Sequence, residues 1–297
     1  MKIVIGVDGM SLDDACVRAA SVRPWPLGSV FFLLSVINPY PFTAAPIVQD
    51  KLLKKVLQKL ERTAQLLREA GWTSTTKISM GSPRRKINQF ARDWEADLTM
   101  VGCNDLGDLT RLFLGSTAQS VLRHAPCSVE VVRPHRDKGN STLMGGMKIL
   151  IATDGSEFAR AAIRAVSERP WPDGSEVKII CVPEFIIPKD PSFLKRHEAK
   201  DLGIAAIEDA RTSVATGVDA LTASGLKVSS MVPEFEDKPY KVILHEAEEW
   251  RADMIVLGSH GRTGFDRFIM GSVSEAVALH AQCSVEVIRT QTNSTSK

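Results

Sequence analysis

Two stretches late in the chain combine residue types that handle anions. The first is Gly258-Ser259-His260-Gly261-Arg262-Thr263-Gly264, and the second is Gly271-Ser272-Val273-Ser274-Glu275. Glycines allow a tight loop whose backbone N–H groups converge on an anion. Ser272 and Glu275 fit the S-x-x-E capping pattern, which predicts a helix starting there. A helix start offers free N–H donors and a favourable dipole, so it suits phosphate. Arg262 beside the loop can offer two donors in one fork. An earlier stretch, Gly102-Cys103-Asn104-Asp105 followed by Gly115-Ser116 and Gln119, repeats this arrangement in altered form. Asp105 stands where the second glycine should be, with Asp108 nearby. A carboxylate there repels a triphosphate, and its Cβ obstructs close backbone approach. The earlier loop is therefore expected to bind more weakly.

The elements that must hold these loops are repeated too. Met1-Lys2-Ile3-Val4-Ile5 returns as Met147-Lys148-Ile149-Leu150-Ile151, Asp8-Gly9 as Asp154-Gly155, and Arg23-Pro24-Trp25-Pro26 as Arg169-Pro170-Trp171-Pro172, each 146 positions on. Later the offset is 156, where His124-Ala-Pro-Cys-Ser-Val-Glu-Val becomes His280-Ala-Gln-Cys-Ser-Val-Glu-Val. The second copy has gained about ten residues, placed near Pro183 to Lys200. The copies are expected at 1–135 and 147–290, joined by a linker at 136–146 and followed by a tail at 291–297. Apolar runs at Ile3–Val7, Val30–Ile37, Asp97–Val101 and Ser128–Val132 read as strands buried on both faces. Thr73–Ser79 reads as a further strand. The second copy repeats these runs at Ile149–Thr153, Val177–Val182, Asp253–Leu257 and Ser284–Ile288. Between them lie helical patterns, such as Val48, Leu52, Leu53, Val56, Leu57, Leu60, Ala64 and Leu67, with Gly71 ending that helix. Alternating strands and helices predict two tandem doubly wound α/β domains, each a five-stranded parallel sheet flanked by about four helices. Ligands of such sheets bind beyond the carboxyl ends of the strands, where both loops fall.

Composition excludes several classes. The 37 basic and 35 acidic residues leave a net charge of +2, which gives no reason to expect nucleic-acid binding. Arg84-Arg85-Lys86 reads as a solvated helix start. The chain opens on a strand-like run followed by Asp8, so no signal peptide is expected. No run approaches the ~18 apolar residues of a membrane helix. The five cysteines form no CxxC pair, so neither a disulfide framework nor a zinc site is indicated, and a reducing cytoplasm is expected. Cys127 and Cys283 read as small core residues, and Cys103 as an accessible one. His124 and His280 read as helix-end residues. Trp25 and Trp171 are expected to pack over the end of each copy's first helix. Asp8 and Asp154 have a plainer reading as caps of that helix, as Ser272 has for the later one.

The spacing G-x2-G-x9-G-S, the strand–Asp–Gly start and the Cys-Ser-Val-Glu-Val closing strand together resemble the universal stress protein family. The resemblance spans both copies nearly end to end. It implies a five-stranded domain that binds ATP or another adenine nucleotide, stress-related roles in the cytoplasm, and dimers paired through the last strand. By position, it implies that Asp154 and the backbone of Val182 contact the nucleoside. Gly258, Gly261, Gly271 and Ser272 would hold the phosphates, with contacts from Val273 and Ser274 and with His260 and Arg262 flanking. Mg²⁺ would be held through phosphate oxygens. The weaker site of the first copy would use Asp8, Val36, Gly102, Gly115 and Ser116. Asp237 in the second copy departs from the pattern, standing where the first copy has Gly81. The last strands predict an intrachain pseudo-dimer, because open edges invite pairing; a homodimer of whole chains and an unknown protein partner stay open. The sequence carries neither a Walker A motif nor the Ser-Gly-Gly-x-Asp-Ser loop of ATP pyrophosphatases. Regulation by nucleotide is thus favoured over a slow ATPase or phosphotransferase, and over a nucleotide-free structural pseudo-dimer.

Overall fold

The apolar runs become strands and the amphipathic stretches become helices in strict alternation. The computed structural model describes residues 1–8, 15–38, 46–103, 114–134, 146–183, 196–234, 237–262 and 270–290, without the side chains of 46–49 and 196–200. Asn104, Asp105 and Asp108, the linker up to residue 145, the tail and most of the inserted stretch lie outside them. The first domain runs β1 (Lys2–Val7), α1 (Ala15–Val22), β2 (Val30–Ile37), α2 (Pro46–Glu69), β3 (Thr73–Met80), α3 (Pro83–Asp93), β4 (Leu98–Gly102), α4 (Ser116–His124) and β5 (Ser128–Val132). The second runs β6 (Lys148–Ala152), α5 (Glu157–Ser167), β7 (Glu176–Ile180), α6 (Arg196–Ala223), β8 (Lys227–Met231), α7 (Pro239–Glu249), β9 (Met254–Gly258), α8 (Ser272–His280) and β10 (Ser284–Ile288).

Each half is parallel, and the two are not separate sheets. They join into ten strands ordered β3-β2-β1-β4-β5-β10-β9-β6-β7-β8. The junction is antiparallel, with Val129, Glu130 and Val131 opposite Val287, Glu286 and Val285. The last strands therefore pair as an intrachain pseudo-dimer. Three apolar clusters follow from this. One lies under α1 and α2, and one under α5 and α6. The third runs unbroken across the junction, from Ile87 and Val121 in the first domain to Ile243 and Val277 in the second. The α2 stripe is narrower than its sequence suggests. Val56, Leu60, Ala64 and Leu67 are buried, while Leu57 is 46% exposed. One residue turns a helix by about 100°, which carries Leu57 off the stripe that Val56 occupies. The tryptophans close the first helices as expected: Trp25 Nε1 donates to Ala20 O at 2.8 Å, and Trp171 Nε1 to Val166 O at 2.8 Å.

The junction also buries charge. Glu130 and Glu286, each at most 1% exposed, face each other in register. Like charges directly opposite each other are destabilising, and a buried charge needs a partner. The repeated Arg-Pro-Trp-Pro segments supply it. Arg23 Nη2 reaches both Glu130 oxygens at 2.9 and 2.8 Å, and Arg169 Nη1 reaches Glu286 Oε2 at 2.7 Å. Burial pushes the Glu130 carboxyl above its ordinary range, Arg23 pulls it down, and Glu286 pushes it up again.

A second reciprocal set crosses the junction. Arg133, just past β5, donates from Nη2 to Ala278 O at 2.6 Å and from Nη1 to Cys283 O at 3.3 Å. Arg289, just past β10, donates from Nη2 to Leu122 O at 2.8 Å and to Arg123 O at 3.1 Å. The backbone N–H groups of both arginines donate across as well, to Ser284 Oγ and Ser128 Oγ.

Candidate functional site

At the carboxyl edge of the second domain, Ala152 pairs with Leu257 on one side and with Ile180 on the other. Asp154 and Val182 each stand two residues past those paired strand ends. Thr153 N–H donates to Ile180 O at 2.9 Å and holds the two ends together. Val182 is half-buried against the shared core. After Asp154 the chain turns through Gly155 at φ +76°, a left-handed angle that glycine adopts freely. Helix α5 then starts with Ser156 as its cap, the hydroxyl accepting from Ala159 N–H at 3.2 Å. Asp154 is therefore not the cap. Its Oδ1 accepts from Ser156 N–H at 2.9 Å and its Oδ2 from Arg262 N–H at 2.9 Å, while its carbonyl accepts from Arg262 Nε at 2.5 Å. This clamps the β6–α5 turn to the β9–α8 loop. Arg262 Nη1 also lies 3.5 Å from Asp209 of α6.

The glycines of the loop have separate reasons. A Cβ at Gly258 would stand 2.6 Å from the backbone carbon of Phe158, so this glycine lets the first turn of α5 lie against the end of β9. A Cβ at Gly261 would stand 2.8 Å from Asp154 Oδ2. At Gly271 it would meet Ser259 O at 3.3 Å and His260 Cα at 3.4 Å, closing the narrow space between the loop and the helix start. Gly271, not Ser272, is the N-cap of α8, with no side-chain cap bond. The capping pattern fails by one position because the Gly271 carbonyl already accepts the Glu275 N–H at 2.9 Å. Ser272 is the first helical residue, and it is exposed. The Ser274 hydroxyl donates to Gly258 O at 2.7 Å, which ties the helix start to the strand end. The Gly271 N–H donates to Ser259 O at 2.8 Å. The amides of Ser272, Val273 and Ser274 have no partner within the helix. His260 is 6% exposed, its ring 4.9 Å from that of Phe158 and its Nδ1 3.0 Å from Ser259 Oγ. Its Nε2 is buried without a hydrogen-bond partner. Among the described residues, no three or more His, Cys, Asp or Glu side chains converge on a metal-sized centre.

In the first domain part of the same corner is described. Gly115 caps α4, Ser116 is its first helical residue, and Gln119 Nε2 donates to Leu114 O at 2.9 Å. Among the described residues, a Cβ at Gly102 would meet Cys16 Sγ at an ordinary 3.7 Å; Leu12, the counterpart of Phe158 in the repeat, lies outside them. Asp8 is exposed, and Val36 packs against the shared core. The residues that set this loop apart, Asn104 and Asp105, fall outside the described residues.

The helix-end reading of the histidines holds: both are the last residues of their helices, and His124 Nδ1 lies 2.9 Å from Ser120 O. Burial pushes the Cys127 thiol up to about 11 and the Cys283 thiol up to about 12. The arginines of the junction carry no role in the sequence reading. Their signal was a glutamate kept inside an apolar strand in both copies, with an arginine kept in both Arg-Pro-Trp-Pro segments.

The model of the universal stress protein family matches residues 1–133 and again 147–289. The chain belongs to that family. A universal stress protein of Mycolicibacterium smegmatis is 26% identical over 309 residues, spanning 97% of this chain and 96% of its own. The fold of this chain is that of a universal stress protein from Archaeoglobus fulgidus, which has 21% identity, a TM-score of 0.64, and coverage of 97% and 96% of the two chains. Another Archaeoglobus fulgidus member, solved in complex with dAMP, is 23% identical and covers 48% of this chain and 98% of its own, with a TM-score of 0.34. Among the described residues, no helix is long and apolar enough to cross a membrane.

Proposed function

We propose that the second domain binds ATP, or another adenine nucleotide, at the corner formed by the β6–α5 turn, the β9–α8 loop and the start of α8. The observation that carries this reading is the start of α8. The amides of Ser272, Val273 and Ser274 have no partner within the helix, and Gly271 and Gly261 let the loop pack closely against the helix start and Asp154. The orphaned Nε2 of His260 next to that loop supports it, because a buried polar atom calls for a partner. The amides would hold the phosphates with the dipole of α8 behind them. Arg262 would stand at the rim, its backbone N–H already bound to Asp154. Asp154 accepts two N–H groups in this clamp, and a carboxylate has about four acceptor positions, which leaves capacity for a nucleoside hydroxyl. Val182, two residues past the paired end of β7, would meet the nucleoside from the other side. Mg²⁺ would be held by phosphate oxygens rather than by a protein cage.

Nucleotide occupancy would regulate contacts with a protein partner in the cytoplasm, shifting the chain between states that bind ATP unequally. Turnover is expected to stay well below the ~10 s⁻¹ of an ordinary enzyme, since no Walker lysine accompanies the loop. Calorimetry of the full chain with MgATP tests the binding. Gly261→Asp brings a second carboxylate beside Asp154 and the phosphates, so affinity should fall at least tenfold, about 1.4 kcal/mol. No heat of binding at millimolar ATP refutes the reading.

A further inference from the structure

The helix that opens the candidate site ends at the other domain. Helix α8 has nine residues, so its two ends are only about 14 Å apart. Its start is tied down within its own domain, through Ser274 Oγ to Gly258 O. Its far end is held from the first domain, by the Arg133 guanidinium on Ala278 O, with a second bond to Cys283 O three residues past the helix. Arg133 is 2% exposed, so this contact is buried. The mirror relation holds for α4, whose far end is capped by Arg289 of the second domain at Leu122 O and Arg123 O. Each domain thus grips the last helix of the other, and that helix opens the other domain's anion-type loop.

We propose that Arg133 is a positioning residue for the nucleotide site of the second domain, and Arg289 for that of the first. The proposal rests on the reading that the start of α8 receives phosphate. Two effects act in the same direction. A short helix moves as a rod, so a clamp on its last turn fixes the height of its first turn against Gly258 and Gly261. A cation on the last carbonyls also cancels the negative end of the helix dipole, which leaves the positive end more attractive to an anion. A mere interface role would loosen both loops alike when either arginine is removed. Positioning predicts a crossed pattern, in which each arginine governs the helix of the opposite domain.

Hydrogen exchange on the full chain reads this pattern with or without nucleotide. The reporters are amides bonded at each helix start, Glu275 to Gly271 O in α8 and Gln119 to Gly115 O in α4. In Arg133→Met, exchange over residues 271–278 should rise about tenfold while 115–122 stays as in the unaltered chain. Arg289→Met should give the reverse. Arg133→Lys keeps the charge but loses the fork, so it should fall between, and it serves if Arg133→Met does not fold. In calorimetry, Arg133→Met should weaken MgATP binding about three- to tenfold, with most of the loss restored by lysine and little effect from Arg289→Met. If both loops loosen equally in either variant, or neither does, the proposal is overturned. If the unaltered chain binds no ATP, the nucleotide reading fails alone, and the exchange pattern still decides the positioning.

Discussion

Replacing Arg23 with methionine is the sharpest test of how the two copies are joined. Arg23 and Glu130 are 5% and 1% exposed, and one guanidinium nitrogen holds both carboxylate oxygens. Glu286 stands opposite in register with its own arginine. Without Arg23 the Glu130 carboxylate is buried, unpaired and beside another carboxylate. Removing one partner of such a pair costs about 3–5 kcal/mol, a large share of the roughly 5–15 kcal/mol that holds a domain folded. The loss should depend on pH, with a sign fixed by Glu130. Burial and Glu286 already raise its pKa, and losing Arg23 raises it further. A group with a raised native pKa adds stability at low pH and loses it as pH rises through that value. Arg23→Met should therefore be damaged more at pH 8 than at pH 5. Adding Glu130→Gln should recover at least half of the loss at pH 8. Urea unfolding of the full chain at both pH values measures this. A loss under about 1 kcal/mol at pH 8, or a double variant no better than the single one, refutes the argument.

Gly258→Ala should lower stability by about 1–3 kcal/mol in thermal unfolding, because its Cβ would stand 2.6 Å from Phe158. Cys127 and Cys283 should resist a thiol reagent at pH 8, with about one molecule in a thousand or fewer as thiolate. Their raised values also predict stability that is intact below about pH 9 and lost as pH climbs through about 11 and 12, which alkaline unfolding curves would register. Equilibrium dialysis of the full chain should find one tight nucleotide per chain; two equivalent tight sites would remove the role assigned to Asp105.

The sheet was legible because strands buried on both faces write themselves as unbroken apolar runs, as Val30–Ile37 and Ser128–Val132 do. The pairing of the last strands was legible for a related reason: an apolar edge strand needs a partner. The start of α8 at Ser272 was legible, but its cap was misread by one residue. A serine three residues before a glutamate satisfies the capping pattern, but the backbone of Gly271 already supplies the turn, so no side chain is needed there. The reason for Gly258 was hidden as well. Sequence spacing places it in a phosphate loop, while the contact that demands a missing Cβ comes from Phe158, a hundred residues earlier. The arginines beyond the last strands were illegible for the same reason. Arg133 and Arg289 follow their strands like any polar terminator, and only the crossing of two domains reveals which carbonyls they meet.

One contact at the junction has no counterpart. Arg123 and Glu275 form an ion pair across it, whereas the matching positions hold Leu279 and Gln119. In a dimer of identical chains every substitution appears twice, and each interface contact must suit its own mirror image. Joining the copies in one chain lifts that constraint. The partner is also always present at the effective concentration set by the linker, so pairing no longer depends on the abundance of the protein. One half can then lose or change a ligand while the other keeps it, with the first half still serving as the wall that completes the second.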